Sequence, residues 1–151
     1  MGRPGRVETE GLVRIPLMAQ GLCAGFPSPA DDFIEDSLEF PRWLVPNPPA
    51  TFIWQVTGEC MTGAGVHDRD LVVVDRSVEP RDQSLVVAVL GGEVSLKRHR
   101  IVGGRRFLTY DDPRWDNLRV PEIEGEIWGT VLFSIRWHDL GALGLSDRIR
   151  A

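Results

Sequence analysis

Leu85-Val86-Val87-Ala88-Val89-Leu90-Gly91-Gly92-Glu93-Val94-Ser95-Leu96-Lys97-Arg98-His99-Arg100-Ile101 decides the fold class. Two runs rich in β-branched residues flank a Gly-Gly pair, and glycine reaches the left-handed backbone that a tight hairpin turn requires. Outward from this hairpin, residues 52–56, 71–74, 107–110 and 127–137 are short apolar runs of the same kind, nearly all separated by turn residues. The expectation is a mostly β domain. Gly103-Gly104 predicts the next turn, so Lys97 sits mid-strand in a β-meander. Period-two alternation then puts Val94 and Leu96 on one side and Ser95, Lys97 and His99 on the other.

The first fifty residues read differently, with most of the eleven prolines and a single candidate strand at 12–18. They predict an extended arm lying across the domain. Within it, Asp32 followed by Glu35 has the spacing of a capping box, which predicts one or two helical turns stopped by Pro41. Residues 140–151 carry no partner pattern and are expected to form a tail.

With 151 residues, 42% hydrophobic and 26% charged, the chain is expected to form one globular domain able to bury a core. No run approaches the roughly 18 apolar residues of a membrane span, and the first residues lack the apolar segment of a secretory signal. A cytoplasmic location is expected, without membrane contact. The net charge of −5 argues against a basic nucleic-acid groove, and Arg98, Arg100, Arg105 and Arg106 read as a solvated hairpin face. Two cysteines, Cys23 and Cys60, are too few for a disulfide framework and are expected as thiols.

Of the 17 basic residues all but one are arginine, and Lys97 is the only lysine. Arginine keeps its proton near neutral pH, whereas a desolvated lysine can lose it and act as a base. A chance survivor of an arginine-biased sequence is the other reading of Lys97. Gly58-Glu59-Cys60-Met61 follows a strand run and precedes Gly63 and Gly65, so a small nucleophilic side chain is presented at a bend with free backbone N–H groups, as an oxyanion hole requires. The alternative is a minor packing cysteine. His67, His99 and His138 lack the grouping of a metal site, and no metal or cofactor is expected. Asp111, Asp112 and Asp116 read as solvated loop charge, and Trp54, Trp128 and Trp137 as core or interface residues.

The string from Phe52 through Gly58-Glu59-Cys60-Met61 to Asp68-Arg69-Asp70-Leu71 resembles the nucleophile segment of the LexA/UmuD self-cleaving (S24-type) peptidases. There a Ser-Met pair precedes a Gly-Asp-Leu strand. Ala24-Gly25-Phe26-Pro27-Ser28-Pro29-Ala30 is similar to the UmuD-type cleavage segment, and Gly92-Glu93-Val94-Ser95-Leu96-Lys97 to the strand bearing the catalytic lysine. Ile127-Trp128-Gly129-Thr130-Val131-Leu132 looks like the terminal dimer-forming strands. The four motifs stand in the family's order. The resemblance implies a cleavable arm, 1–24, a LexA/UmuD-like β peptidase domain, 25–139, and a tail, 140–151. It also implies self-cleavage at Ala24-Gly25 in the SOS response, stimulated by RecA filaments on single-stranded DNA. The product would be a trimmed homodimer that serves as a subunit of a Y-family translesion polymerase. Cys60 would be nucleophile, Lys97 general base and then acid, and the backbone N–H groups of Glu59, Cys60 and Met61 the oxyanion donors.

Two positions depart from the pattern. Cys60 stands where the family has serine, which opens the alternative of an impaired member acting as a polymerase- or RecA-binding module. Arg69 stands where the family has glycine, so that turn is expected to be drawn differently. The 24 residues before the expected cut are too few for a winged helix-turn-helix, which argues against sequence-specific DNA binding. A signal-peptidase-like enzyme is the remaining rival, since those also pair Ser-Met with lysine.

Overall fold

In the computed structural model, which describes residues 11–18, 34–58, 61–111 and 119–139, the apolar runs form nine strands of one sheet. They are β1 Leu12–Met18, β2 Ile34–Pro41, β3 Thr51–Gln55, β4 Leu71–Asp75, β5 Leu85–Leu90, β6 Glu93–Val102, β7 Arg105–Thr109, β8 Arg119–Pro121 and β9 Glu126–Ile135. Their order is β2-β1-β3-β4-β9-β5-β6-β7-β8. Each pair is antiparallel except β1 and β3, which run parallel.

The expected meander is β5-β6-β7. Gly91 and Gly92 have φ of 57° and 81°, and Gly103 and Gly104 have φ of 56° and 79°. Both central residues of each turn are left-handed, the geometry whose twist matches the flanking strands. With Val86 opposite Lys97 and Leu108 opposite His99, this register places Lys97 and His99 on one face with Val86, Ala88 and Leu108.

β4 is buried along its whole length, and its alternation explains why. Val72 and Val74 join Trp54, Met61, Val87, Val94, Leu96 and Trp128 in one core cluster. Leu71 and Val73 join Ile15, Leu17, Phe40, Val45 and Ile53 in a second, on the opposite face. A strand with both faces covered reads as an unbroken apolar run. Trp54 on β3 and Leu96 on β6 share a cluster although three strands separate theirs, so the sheet curls around that core.

The capping-box expectation fails. Glu35 lies in β2, not in a helix, and β2 pairs along its length with β1. Beyond Glu35, the Leu38/Phe40 alternation has the period of a strand, and a seven-residue partner outweighs a local capping signal. Asp32 lies outside the described residues, as does the 140–151 tail. Ile127–Leu132 falls in β9, whose Glu126–Thr130 half pairs with β5 and whose Thr130–Ile135 half pairs with β4.

Candidate active site

Lys97 occupies the middle of β6 and is only 4% exposed. Its Nζ donates to Ser95 Oγ at 2.6 Å and to the Leu96 carbonyl at 3.0 Å, and stands 4.3 Å from the centre of the Tyr110 ring. Among the described residues no carboxylate forms an ion pair with it. Loss of water therefore dominates: burial pushes the amine down from 10.5 to about 8, against a weaker upward pull from the charge of Glu93. On the order of a tenth of the amines are then neutral at pH 7, against fewer than about one in a thousand for an ordinary lysine. The group can both take and return a proton near neutrality.

The turn before β4 is tied to this strand from its two described flanks. Gly58, with φ of 85°, donates its N–H to Asp68 Oδ1 at 2.8 Å. Met61 is fully buried, bridges to Val66, and packs in the cluster that holds Leu96, the residue before Lys97. After Met61 comes a 3-10 turn, Thr62–Ala64. Its Gly63 N–H donates to the Asp111 carbonyl at 3.0 Å, where a Cβ would lie 2.5 Å from that oxygen, so only glycine allows the approach. Asp111 accepts two hydrogen bonds from the guanidinium of Arg98, with Nε at 2.9 Å. Thus Gly63, Asp111 and Arg98 connect the glycine-rich turn to the residue next to Lys97. Of the expected site residues, Lys97 and Met61 are placed by the structure; Glu59, Cys60, Ala24 and Gly25 lie outside the described residues.

At Arg69 φ is 73°, so arginine takes a left-handed conformation of the kind that glycine adopts without strain. The reason lies in the hydrogen bonds on either side: Arg69 N–H donates to the Val56 carbonyl and Val56 N–H to the Asp70 carbonyl, both at 2.8 Å. Asp70 is buried and held by Arg136, with Nε–Oδ1 and Nη2–Oδ2 both at 2.8 Å, and by the His67 N–H at 2.9 Å. Burial works to raise the Asp70 carboxyl, but these bonds and the Arg136 charge outweigh it and hold it below its ordinary value.

Of the hairpin arginines, Arg105 and Arg106 are exposed, as a solvated face requires, and Arg98 is partly buried. Arg98 pairs with Asp111, Arg100 with Asp82, and Arg106 lies 3.8 Å from Glu79. His99 is completely buried, with Nδ1 2.9 Å from the Arg81 carbonyl and Nε2 2.8 Å from Glu122 Oε2. Trp54 and Trp128 meet edge to face in the core at 5.3 Å. Sequence reasoning missed Tyr110, the chain's single tyrosine, and the Asp70–Arg136 anchor. The position of Tyr110 directly after β7 was a usable signal; the 66-residue separation of Asp70 and Arg136 left none.

Comparison with known proteins places the chain in a family. The family model for peptidase S24-like proteins matches residues 16–132. Protein MucA of Escherichia coli is 36% identical over 133 residues, covering 82% of this chain and 86% of MucA. Protein SamA of Salmonella typhimurium is 39% identical over 116 residues, covering 77% of this chain and 81% of SamA. Protein ImpA of Salmonella typhimurium is 43% identical over 83 residues, or 55% of this chain, and the chain spans only 57% of ImpA. Among the described residues no helix is long and apolar enough to cross a membrane. With the family model covering most of its length, the chain belongs to the peptidase S24-like family, as a UmuD-like member of the LexA/UmuD group.

Proposed function

We propose that the chain is a DNA-damage response protein that cuts its own Ala24-Gly25 bond, with Cys60 as nucleophile and Lys97 as the proton carrier. One observation carries the reading. The single lysine of the chain is buried on β6, among neutral acceptors, with its amine lowered to about 8. In this mechanism the Cys60 sulfur attacks the Ala24 carbonyl carbon as the thiol proton passes to Lys97. The resulting oxyanion accepts hydrogen bonds from backbone N–H groups of the Glu59–Met61 bend. Lys97 then returns the proton to the departing Gly25 amine, the C–N bond breaks, and water hydrolyses the thioester.

By family resemblance, filaments of RecA on single-stranded DNA stimulate the cut. The trimmed protein, as a homodimer, then joins a Y-family translesion polymerase, in the cytoplasm and without reading DNA sequence itself. The test is intact mass after incubation with and without activated RecA filaments. The expected result is paired fragments of residues 1–24 and 25–151, formed faster with filaments. An unbroken chain in both arms, also at pH 9, would overturn the enzyme reading and leave a polymerase- or RecA-binding module.

A further inference from the structure

The segment expected to be a trimmed arm contains an interior strand of the sheet. β1 lies between β2, with which it forms seven register pairs from Leu12↔Pro41 to Met18↔Ile34, and β3, which it joins in parallel at Leu17↔Ile53. Ile15, Leu17 and Met18 are buried to 4% exposure or less. β2 is the outermost strand and is hydrogen-bonded into the sheet through β1 alone. Residues 19–33 join β1 to β2 along the chain, so a cut there assigns the two strands to different pieces.

If the N-terminal piece left, β2 would have no partner strand, β3 would present a bare edge, and Phe40, Val45 and Ile53 would lose the side chains that cover them. Uncovered apolar side chains cost free energy in water, and an unpaired sheet edge is a template for another strand. We infer that the slot between β2 and β3 is a strand-binding site in the cut protein and that its occupant is the Leu12–Met18 segment of this same chain. The cut converts a tethered strand into an exchangeable one. The fragment stays seated after cleavage, and the same segment from another copy can replace it. Leu17 and Ile15 give the slot its specificity, because they fill the second core cluster beside Ile53 and Val73. The exposed Arg14–Glu39 pair at 3.4 Å adds little. The inference rests on the proposed cut falling between β1 and β2, and it holds for any bond within 19–33.

The test separates strand retention from self-cleavage by placing the recognition sequence of an unrelated site-specific protease within 19–33, by substitution in one variant and by insertion in a second. Circular dichroism of each variant before cutting identifies the folded one. After complete cutting, native mass spectrometry at micromolar protein is expected to show both pieces together in equal amounts. A fluorescent synthetic peptide of residues 8–20 is expected to enter the cut protein but not the uncut one, and its Leu17→Arg version to bind at least tenfold more weakly. Separation of the pieces with the larger one still folded, and no uptake of the peptide, would overturn the inference. Retention after the engineered cut in a chain that never cuts itself would sink the self-cleavage reading and leave this one standing.

Discussion

The Lys97 amine stands 4.3 Å from the centre of the Tyr110 ring, so the chain's one lysine faces the chain's one tyrosine. The ring face offers a cation weak attraction while excluding water from it. Together with the neutral acceptors Ser95 Oγ and the Leu96 carbonyl, it forms a pocket that disfavours the charged amine relative to water while still offering it two acceptors. The amine is therefore poised to exchange a proton.

Lys97→Arg is expected to lower self-cleavage by about 100-fold or more, because a guanidinium keeps the charge but cannot serve as a base. In the parent protein, cleavage that needs the neutral amine should rise about tenfold per pH unit below about 8 and flatten above it. Intact-mass time courses from pH 6 to pH 9.5 read both effects. An undiminished rate in a folded Lys97→Arg protein would remove Lys97 from the mechanism.

The same burial makes a stability prediction that needs no activity. The folded-state amine titrates at about 8 and the unfolded one near 10.5, so between those values the unfolded chain binds more protons and stability rises with pH. Below about pH 8 the charged buried amine costs on the order of 3 kcal/mol relative to high pH. Lys97→Met, which keeps length and removes the charge, is expected to raise stability at pH 7 by about 2–3 kcal/mol in urea denaturation. That advantage should shrink as pH climbs from 8 to 10.5. A constant difference across this range would mean that the amine is not desolvated in the folded state.

Much of this was legible in the sequence, for local reasons. The Gly-Gly turns, the meander and the two faces of β6 follow from period-two alternation and from the left-handed backbone that glycine permits. The candidate strand at 12–18 matches β1 in its bounds. What the sequence did not carry is long-range: β2 is a strand because β1 is there to pair with it, and its Asp/Glu spacing suggested a helix. Arg69 is a further case, since the Val56–Arg69–Asp70 hydrogen bonds that hold it at a left-handed φ join residues far enough apart that no spacing rule anticipates them. The Asp70–Arg136 pair joins the turn to the chain just beyond β9, a contact that no spacing rule anticipates.

Cys60→Ser is expected to raise self-cleavage, because it restores the oxygen around which the family's oxyanion geometry is arranged. Iodoacetamide supplies the control: it should abolish cleavage by the parent protein, whose thiol it alkylates, and leave the serine protein active. Mass spectrometry of both proteins after alkylation reads the result. Equal sensitivity of the two would place the nucleophile elsewhere.

Arg69→Gly is expected to stabilise the protein by about 1 kcal/mol. A non-glycine residue at φ 73° carries a steric cost of roughly 1–2 kcal/mol, and glycine's extra unfolded-state entropy returns part of that gain. The Arg69–Asp68 contact at 3.8 Å is exposed on both sides, and its loss should be minor. Arg69→Val, with a β-branched side chain at the same φ, should destabilise. Thermal melts of the three proteins give the order Gly, Arg, Val; a glycine variant no more stable than the parent would show that the turn relaxes around arginine.

Arg136→Gln tests the buried carboxylate. Asp70 is 2% exposed at its side chain while Arg136 is 40% exposed, so removing the guanidinium leaves a buried anion with the His67 N–H as its main remaining donor among the described residues. Breaking such a pair costs about 3–5 kcal/mol when both partners are buried, and solvent access to Arg136 reduces the expected loss to about 2 kcal/mol at pH 7. The sign with pH follows from the lowered carboxyl. A folded-state pKa below the unfolded value of 3.8 means that the stabilisation is fully present above pH 3.8 and is lost as pH falls through the folded value. The parent and Arg136→Gln proteins should therefore differ by the full amount at pH 7, draw together as pH falls past 3.8, and converge below the lowered folded-state value, where Asp70 is neutral in both. Urea denaturation at pH 7, 5 and 3 measures the gap. If it persists undiminished at pH 3, the guanidinium stabilises the turn through its bond to the Gly65 carbonyl at 2.8 Å and not through the charge of Asp70.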